Sequence, residues 1–269
     1  MVLNLLRRFR APAPGAGPAV PDGERLYAIG DVHGRLDLLD QLLARIAQDD
    51  AARGAARTRL ILLGDLIDRG PDSRGVVERA IALCAGDADV TVLQGNHEEM
   101  MLAALRSEGS EAMRFFIRCG GRETLLSYGI SPDEFEEGSL GDLRALALER
   151  VPEAHVAFLD ALPRMVVAGG YAFVHAGIRP GVALDDQSDA DLRWIRGTFL
   201  TSRRNHGHVI VHGHSVSESV EECPNRIGID TGAYASGVLT AIGLEGDARW
   251  YLATGAETPV DPPRRYENA

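Results

Sequence analysis

An α/β fold is predicted for this 269-residue chain, because short β-rich runs alternate with segments whose apolar residues recur at helical spacing. Three runs of strand length, at 25–30, 59–63 and 89–93, are each followed by such a segment. The order β-α-β-α-β is typical of a parallel sheet with helices on its faces.

The helices of this pattern are expected near residues 36–46, 73–81 and 98–106. Ser73 is predicted to cap the second helix, since a serine side chain can accept a hydrogen bond from the first helical turn. Residues 100–160 then change character, because they are rich in Glu and Arg and show no strand pattern. We interpret them as a helical insertion.

Strand patterns return after this insertion, and Gly246-Asp247 is a plausible hairpin turn between the last two. The predicted strands are 165–167, 171–174, 208–211, 226–229, 238–244 and 249–252. We therefore expect one domain over residues 24–255. Residues 1–23, which include a Pro/Ala/Gly run, and the polar residues 256–269 are predicted to be tails.

Charge and cysteine content exclude some classes of function. The 28 Lys and Arg against 39 Asp and Glu give a formal net charge of -11, which argues against a nucleic-acid duplex or an anionic membrane as partner. Phosphate chemistry is still allowed, because bound cations can invert the local field. The three cysteines are widely spaced and suit neither a disulfide framework nor a zinc site. We therefore expect a cytoplasmic protein with no membrane partner.

The first three predicted strands all end in acidic or amide residues beside glycine, in the sequences GDVHG, GDLIDRG and GNHE. Because the carboxyl ends of parallel strands form a ligand crevice, these loops are expected to converge. Two later strand-like runs end in VHAG and GHS, which contain His175 and His214. His212 either shares a face with His214 or is turned away at Gly213, and His214 is the preferred candidate.

These residue types indicate divalent cations, which take carboxylate, imidazole and amide ligands. Two cations that share one carboxylate can clamp the oxygens of a phosphoryl group during in-line displacement. A single Asp after a strand is most often a helix cap or a turn residue. Five strand ends with the same chemistry are instead typical of one functional site.

The motifs GDVHG, GDLIDRG, GNHE, VHAG and GHS, in this order, resemble those of the calcineurin-like metallophosphoesterases. They are most similar to the PPP-type bacterial serine/threonine phosphatases, a group that also includes symmetrical diadenosine tetraphosphatases. The resemblance covers residues 24–252. It implies a sandwich of two mixed β-sheets flanked by helices, with the strands after residue 165 forming the second sheet.

The resemblance also implies a role for each motif residue. Asp31 and His33 would bind the first metal, and Asp65 would bridge both. The second metal would be held by Asn96, His175 and His214, with Asn96 also near the phosphate. The expected metal is Mn, with Fe, Zn or Ni as alternatives.

The remaining roles fall on a catalytic pair and on arginines. Asp68 and His97 would protonate the leaving group, and Arg69 would bind phosphate oxygens. The segment 191–196 resembles the one that supplies a second phosphate-binding arginine. Arg196 is the preferred candidate there, with Arg193 left open.

The function implied is hydrolysis of phosphomonoesters by direct attack of a metal-bridging hydroxide. A serine/threonine protein phosphatase is favoured over a symmetrical dinucleoside tetraphosphatase, because aromatics make up 6% of the chain and Phe115-Phe116 looks like helix core. A nuclease is disfavoured by the charge, and a non-enzymatic scaffold by the complete set of predicted ligands. The expected partner is a phosphoprotein or a small phosphorylated substrate, with no nucleic acid, and no oligomeric state is indicated.

Overall fold

The computed structural model describes residues 17–255. Within these residues the chain forms ten strands. They are Glu24–Ile29 (β1), Arg57–Leu62 (β2), Asp89–Val92 (β3), Met165–Ala168 (β4), Tyr171–Val174 (β5), Val209–His212 (β6), Glu221–Cys223 (β7), Arg226–Gly228 (β8), Thr240–Glu245 (β9) and Ala248–Ala253 (β10).

The strands form two five-stranded sheets, ordered β10-β9-β1-β2-β3 and β4-β5-β6-β8-β7. In the first, β1, β2 and β3 run parallel, while β9 and β10 are antiparallel. In the second, β5, β6 and β8 run parallel, while β4 and β7 are antiparallel. Both sheets are mixed, as the family resemblance implied. The short strand β7 was not expected from the sequence.

Eleven α-helices lie within the described residues. They are Leu36–Ala52 (α1), Ser73–Ala85 (α2), Asn96–Arg106 (α3), Ser110–Phe116 (α4), Arg122–Ser127 (α5), Pro132–Glu137 (α6), Leu140–Arg150 (α7), Glu153–Ala161 (α8), Asp189–Trp194 (α9), Gly197–Leu200 (α10) and Ala233–Ser236 (α11). The run from α3 to α8 contains no strand and corresponds to the predicted helical insertion. A π-helical turn, Ile117–Gly121, joins α4 to α5.

Alternation along β1 explains how the layers pack. Leu26 and Ala28 belong to an apolar cluster that also contains Phe173 of the second sheet, so this face lies between the sheets. Tyr27 and Ile29 point the other way, into the cluster formed with α1, α2 and the insertion. This packing presents the carboxyl ends of the parallel strands along one edge of the molecule.

The start of the folded region lies earlier than expected. Val20 is buried and its N–H donates to the Gly246 carbonyl (2.9 Å), and the N–H of Gly170 donates to Ala19 (2.7 Å). Residues 18–20 therefore bridge hairpins of the two sheets instead of forming part of a tail. Residues 1–16 and 256–269, also predicted as tails, lie outside the described residues.

The start of α2 also differs from expectation. Asp72 is the capping residue, and its Oδ1 accepts a hydrogen bond from the Gly75 N–H (2.8 Å). Ser73 is the first helical residue and is completely buried. Its hydroxyl oxygen accepts from the Asp68 N–H (3.0 Å), so this serine supports a site loop.

Candidate metal centre

The loops that carry the motifs hold an unusual backbone. Within residues 17–255, every non-glycine residue with a positive φ is a predicted site residue: His33 (47°), Asp65 (48°), Asp68 (74°), Arg69 (69°) and His214 (62°). Such conformations cost on the order of 1–3 kcal/mol each and are kept where surrounding contacts impose them. The motifs therefore specify backbone geometry as well as ligand chemistry.

The Glu98 carboxylate ties two of these loops together. It accepts hydrogen bonds from the backbone N–H groups of Asp65 (3.0 Å), Leu66 (2.8 Å) and Gly95 (2.7 Å). Its burial raises the pKa of this carboxyl to about 8. Glu98 is part of the GNHE motif, but no role was predicted for it. The structure shows that it fixes the β2 and β3 loops to each other.

Two groups of potential metal ligands share Asp65. One is His33, Asp65 and His97, the other Asp65, His175 and His214, and the ligand atoms within each group lie within 4.8 Å of one another. Asp65 Oδ2 is 3.6 Å from His33 Nε2 and Oδ1 is 3.4 Å from His175 Nε2. One carboxylate thus faces both groups, as expected for a bridging ligand.

The hydrogen bonds of two histidines show why cations suit this cluster. His33 Nδ1 bonds to the Ile67 carbonyl (2.8 Å) and His175 Nδ1 to the Leu63 carbonyl (3.0 Å). Each Nδ1 must therefore carry the proton, which leaves a lone pair on each Nε2. Both lone pairs face Asp65, and such pairing of a ligand histidine with a carbonyl is typical of metal sites.

Burial keeps the imidazoles neutral, as metal ligation requires. Desolvation lowers the pKa of His175 to about 3 and that of His214 to about 2. It also lowers the pKa of His33 well below its usual value. Asn96 completes this side of the cluster, with its Oδ1 at 2.9 Å from His175 Nε2.

Asp31 lies beside these groups without belonging to either triplet. Its Oδ2 accepts from the backbone N–H of His214 (3.0 Å), and its Oδ1 is 4.0 Å from His175 Nδ1. Asp31 Oδ1 and His214 Nε2 are buried and have no hydrogen-bond partner within residues 17–255. Burial, followed by the negative charge of Asp230, raises the pKa of Asp31. Both atoms carry lone pairs that accept no hydrogen bond, and such buried atoms are suited to bind cations.

The predicted catalytic pair is in direct contact. His97 Nδ1 lies 2.5 Å from Asp68 Oδ2, and Asp68 is completely buried. Thr124 of α5 donates its hydroxyl to the other Asp68 oxygen (2.6 Å). Burial raises the pKa of Asp68 and lowers that of His97. Thr124 carries no sequence signal for this role, because its contact spans 56 residues.

The three candidate phosphate-binding arginines, Arg69, Arg193 and Arg196, differ in their contacts. Arg69 donates to Nε2 of His33 (2.8 Å) and of His97 (3.0 Å). Arg193 is buried and forms a two-pronged ion pair with Glu99 (2.8 and 3.0 Å). Arg196 is exposed, and its positive charge contributes to lowering the pKa of His97. Arg193 is thus engaged by Glu99, whereas Arg196 lies near enough to the cluster for its charge to act on His97.

His212 is turned away from the ligand groups. It ends β6, its Nδ1 bonds to the Gly213 carbonyl (3.0 Å), and its ring packs against Phe199 (5.1 Å between centroids). His214, two residues later, adopts a positive φ and enters the second group. The turn at Gly213 therefore separates the two histidines.

Aromatic residues at the edge of the centre depart from the sequence-based expectation. Phe116 is buried, as predicted, but Phe115 is 38% exposed and packs against Trp194. Trp194 contacts His214 (6.4 Å between centroids), and Tyr234 contacts His33 (5.3 Å). Trp194 belongs to the segment 191–196 that was expected to supply a phosphate-binding arginine, but no role was predicted for Trp194 or for Tyr234.

The model of the calcineurin-like phosphoesterase family matches residues 24–236. The chain belongs to this family of hydrolytic enzymes. Its fold is similar to that of a candidate diadenosine tetraphosphatase (TM-score 0.61, 20% identity), with 88% of this chain and 98% of that chain covered. It is also similar to that of a cold-active protein tyrosine phosphatase (TM-score 0.59, 17% identity), with 87% of this chain and 78% of that chain covered. At these identities the likeness concerns the fold.

Three bacterial relatives are named symmetrical bis(5'-nucleosyl)-tetraphosphatase. The Aromatoleum aromaticum protein is 33% identical over 58% of this chain and 45% of its own length. The Acidovorax sp. protein is 39% identical over 41% and 34%, so this chain spans less than half of either relative. The Neisseria gonorrhoeae protein is 28% identical over 81% of this chain and 92% of its own length.

No helix within residues 17–255 has the length and apolar character needed to cross a bilayer.

Proposed function

We propose that this chain is a metal-dependent phosphoesterase that hydrolyses dinucleoside tetraphosphates symmetrically. The observation that carries the chemistry is the sharing of Asp65 between two groups of ligands. A shared carboxylate is typical of two-metal sites that hydrolyse phosphoesters. The three cysteines are free, which suits the cytoplasmic location that we include in this proposal.

The residues fit two divalent cations. The ligands we assign are Asp31, His33, Asp65, Asn96, His175 and His214. When bound, the cations supply Lewis acidity and lower the pKa of a coordinated water, so that a nucleophile exists near neutral pH. The mixed imidazole and carboxylate donors favour Mn, Fe, Zn or Ni over Mg.

Phosphate binding falls to two guanidinium groups and one amide. Arg69 lies against His33 and His97 at one side of the cluster, and Arg196 is exposed and carries no ion pair within residues 17–255. Arginine presents a planar fork of donors that matches phosphate oxygens, so both can orient the substrate and stabilise developing negative charge. The Asn96 side chain lies against His175, and its amide can add a further hydrogen bond to the phosphate.

Proton transfer to the leaving oxygen falls to His97. Its Nδ1 is held by Asp68, so its Nε2 faces the cluster, 3.8 Å from Asp65 Oδ2. Thr124 and Ser73 fix Asp68 in turn. In the structure this Nε2 accepts a hydrogen bond from Arg69. When Arg69 turns to the substrate phosphate, Nε2 is free to hold a proton and donate it as the phosphoester bond breaks.

The choice of substrate reverses the preference drawn from the sequence. The Neisseria gonorrhoeae relative matches 81% of this chain and 92% of its own length, and it is named a symmetrical tetraphosphatase. The argument against a dinucleotide was a lack of aromatic side chains near the site. Phe115 and Trp194 are instead exposed beside it, so this argument no longer holds.

A substrate panel tests the proposal. Metal-reconstituted enzyme should hydrolyse diadenosine tetraphosphate with a kcat/KM at least tenfold above that for a phosphothreonine peptide, which equals ~1.4 kcal/mol of transition-state binding. The product should be ADP alone. Chelation should abolish turnover, and full activity in excess chelator would refute the two-metal site. A peptide preference would restore the protein phosphatase alternative.

A further inference from the structure

Exposed apolar side chains gather around the metal centre. The large exposed apolar residues of the described chain are Phe115, Leu148, Trp194, Val216 and Tyr234. Tyr234 and Trp194 contact site histidines, Phe115 packs on Trp194, and Val216 follows His214 by two residues. Apolar surface concentrated at one place marks a binding site for a ligand with apolar parts.

Tyr234 forms the first aromatic surface. Its ring stands edge-on to His33, and the Arg69 guanidinium lies 4.7 Å from the ring centroid. The ring borders an open cleft of about 610 Å³, lined by Arg35, Arg69 and Pro71 together with the carboxylates Asp37, Asp40 and Asp72. This volume lies within the range of small-molecule sites, roughly 300–1,000 Å³. A planar group in this cleft would reach Tyr234 while its phosphates reach Arg69.

Trp194 forms the second aromatic surface. Its indole stands edge-on to His214 and is 37% exposed. Its Nε1–H donates to Glu99 (2.6 Å), which fixes the ring orientation. Phe115 lies 6.3 Å away at a 35° tilt, and Arg118 lies over Phe115. Two aromatic rings and a cation therefore form a surface on which a flat ring can stack.

The two aromatic surfaces contact different ligand groups. Tyr234 contacts His33 of one group and Trp194 contacts His214 of the other, at centroid distances of 5.3 and 6.4 Å. Asp65 is common to both groups. A substrate cleaved at the centre therefore meets an aromatic surface on the side of each group.

We propose that Tyr234 and Trp194 are the two base-stacking residues that bind the nucleobases at the opposite ends of a dinucleoside polyphosphate. This inference rests on the proposed function and adds the base subsites to it. Stacking on an aromatic side chain contributes equally to all bases, because every base has a π-face. The two subsites therefore set the length of the polyphosphate chain and the cleaved bond more than the identity of the base.

Single substitutions test each surface. Tyr234→Leu and Trp194→Leu should each raise the KM for diadenosine tetraphosphate by about 5-fold or more, the effect of losing one stacked base. Tyr234→Phe and Trp194→Phe keep a ring and should retain most of the affinity. The ratio of kcat/KM for the dinucleotide to that for inorganic tripolyphosphate should fall in the two Leu variants. Leu148→Ala, an exposed apolar residue elsewhere, is the matched control and should change neither value.

Calorimetric titration of the metal-loaded protein with ADP gives a second readout. Wild-type protein should bind two ADP per chain, and each Leu variant should bind one. Unchanged KM and stoichiometry in either Leu variant, with wild type active on the dinucleotide, would overturn the inference and leave the proposed function intact. Wild-type protein that hydrolyses tripolyphosphate but not the dinucleotide would overturn both.

Discussion

The metal-centre loops and the helical insertion at residues 100–160 are built by different means. The loops combine positive φ angles with buried polar groups, and they are held by hydrogen bonds such as those of Glu98 to three backbone N–H groups. The insertion consists of short α-helices, with one π-helical turn at Ile117–Gly121. It is held by apolar contacts among buried residues such as Met113, Phe116 and Leu143.

The difference shows that strained backbone conformations are tolerated in the metal-centre loops. Non-glycine residues in left-handed conformations persist in the loops because several hydrogen bonds determine each of them. Within the described residues the insertion has no non-glycine residue with a positive φ, and its buried apolar side chains pack against one another. A change in the loops should therefore affect chemistry without unfolding the protein. A change at an apolar contact within the insertion should affect stability more than chemistry.

Asp65→Asn should give the largest effect on activity. Asparagine tolerates the left-handed conformation, so the fold should be kept, but the neutral amide cannot bridge two cations. We expect kcat/KM to fall by more than about 10⁴-fold. Metal analysis should show fewer than two ions per chain at an unchanged Tm. Asp87→Asn on the surface is the matched control, and near-normal activity in Asp65→Asn would contradict the shared-ligand arrangement.

His97→Asn and Asp68→Asn should give the next largest effect. Both should lower kcat by about 10²–10⁴-fold, the usual contribution of general acid catalysis, while metal content stays close to that of wild type. The loss should be smaller for p-nitrophenyl phosphate than for phenyl phosphate, because nitrophenolate needs little protonation. If both substrates lose activity equally, His97 does not act as the acid.

The same contrast explains what the sequence could predict. The loops follow parallel strands directly, so residues that are close in sequence, such as Asp31 and His33, reach the site together and leave a readable motif. Thr124 and Trp194 reach the site from helices far along the chain, where no spacing rule applies. Tyr234 follows the last motif by 20 residues and lies on the short helix α11. Its role depends on how the loops pack, which periodicity does not encode.

Residues 18–20 and Phe115 show a second limit. Composition predicted a tail at 1–23, yet Val20 completes the apolar cluster between the sheets. Adjacent phenylalanines on a helix point about 100° apart, so Phe115 and Phe116 could not share one environment. Treating both as core removed the aromatic surface that now favours a dinucleotide. The sequence therefore indicated which side chains converge more fully than it indicated the substrate.

Phe116→Ala tests the insertion and should lower stability while leaving activity nearly unchanged. The ring is completely enclosed in the apolar cluster, and its removal should lower the free energy of unfolding by ~3–5 kcal/mol. Urea unfolding measures this loss. At a temperature well below Tm, kcat should stay within about twofold of wild type. A large fall in kcat at full occupancy of the folded state would mean that the insertion shapes the chemistry.

Thr124→Val should give the smallest effect, at the point where the two regions meet. Valine keeps the shape of the side chain but removes the hydroxyl that donates to Asp68 Oδ1 (2.6 Å). A hydrogen bond to a charged group contributes about 1.5–3 kcal/mol. Ser73 continues to accept from the Asp68 N–H, so the loop should remain in place. We expect kcat on phenyl phosphate to fall by roughly tenfold, equivalent to ~1.4 kcal/mol.

Thr124→Ser restores the hydroxyl on a smaller side chain and is the matched control. It should recover most of the activity while it loses a little stability from the missing methyl group. The opposite pattern, normal kcat and reduced Tm in Thr124→Val, would place Thr124 with the packing of the insertion alone. The expected pattern instead assigns the insertion one direct task at the centre, which is to orient Asp68 so that His97 presents Nε2 to the leaving group.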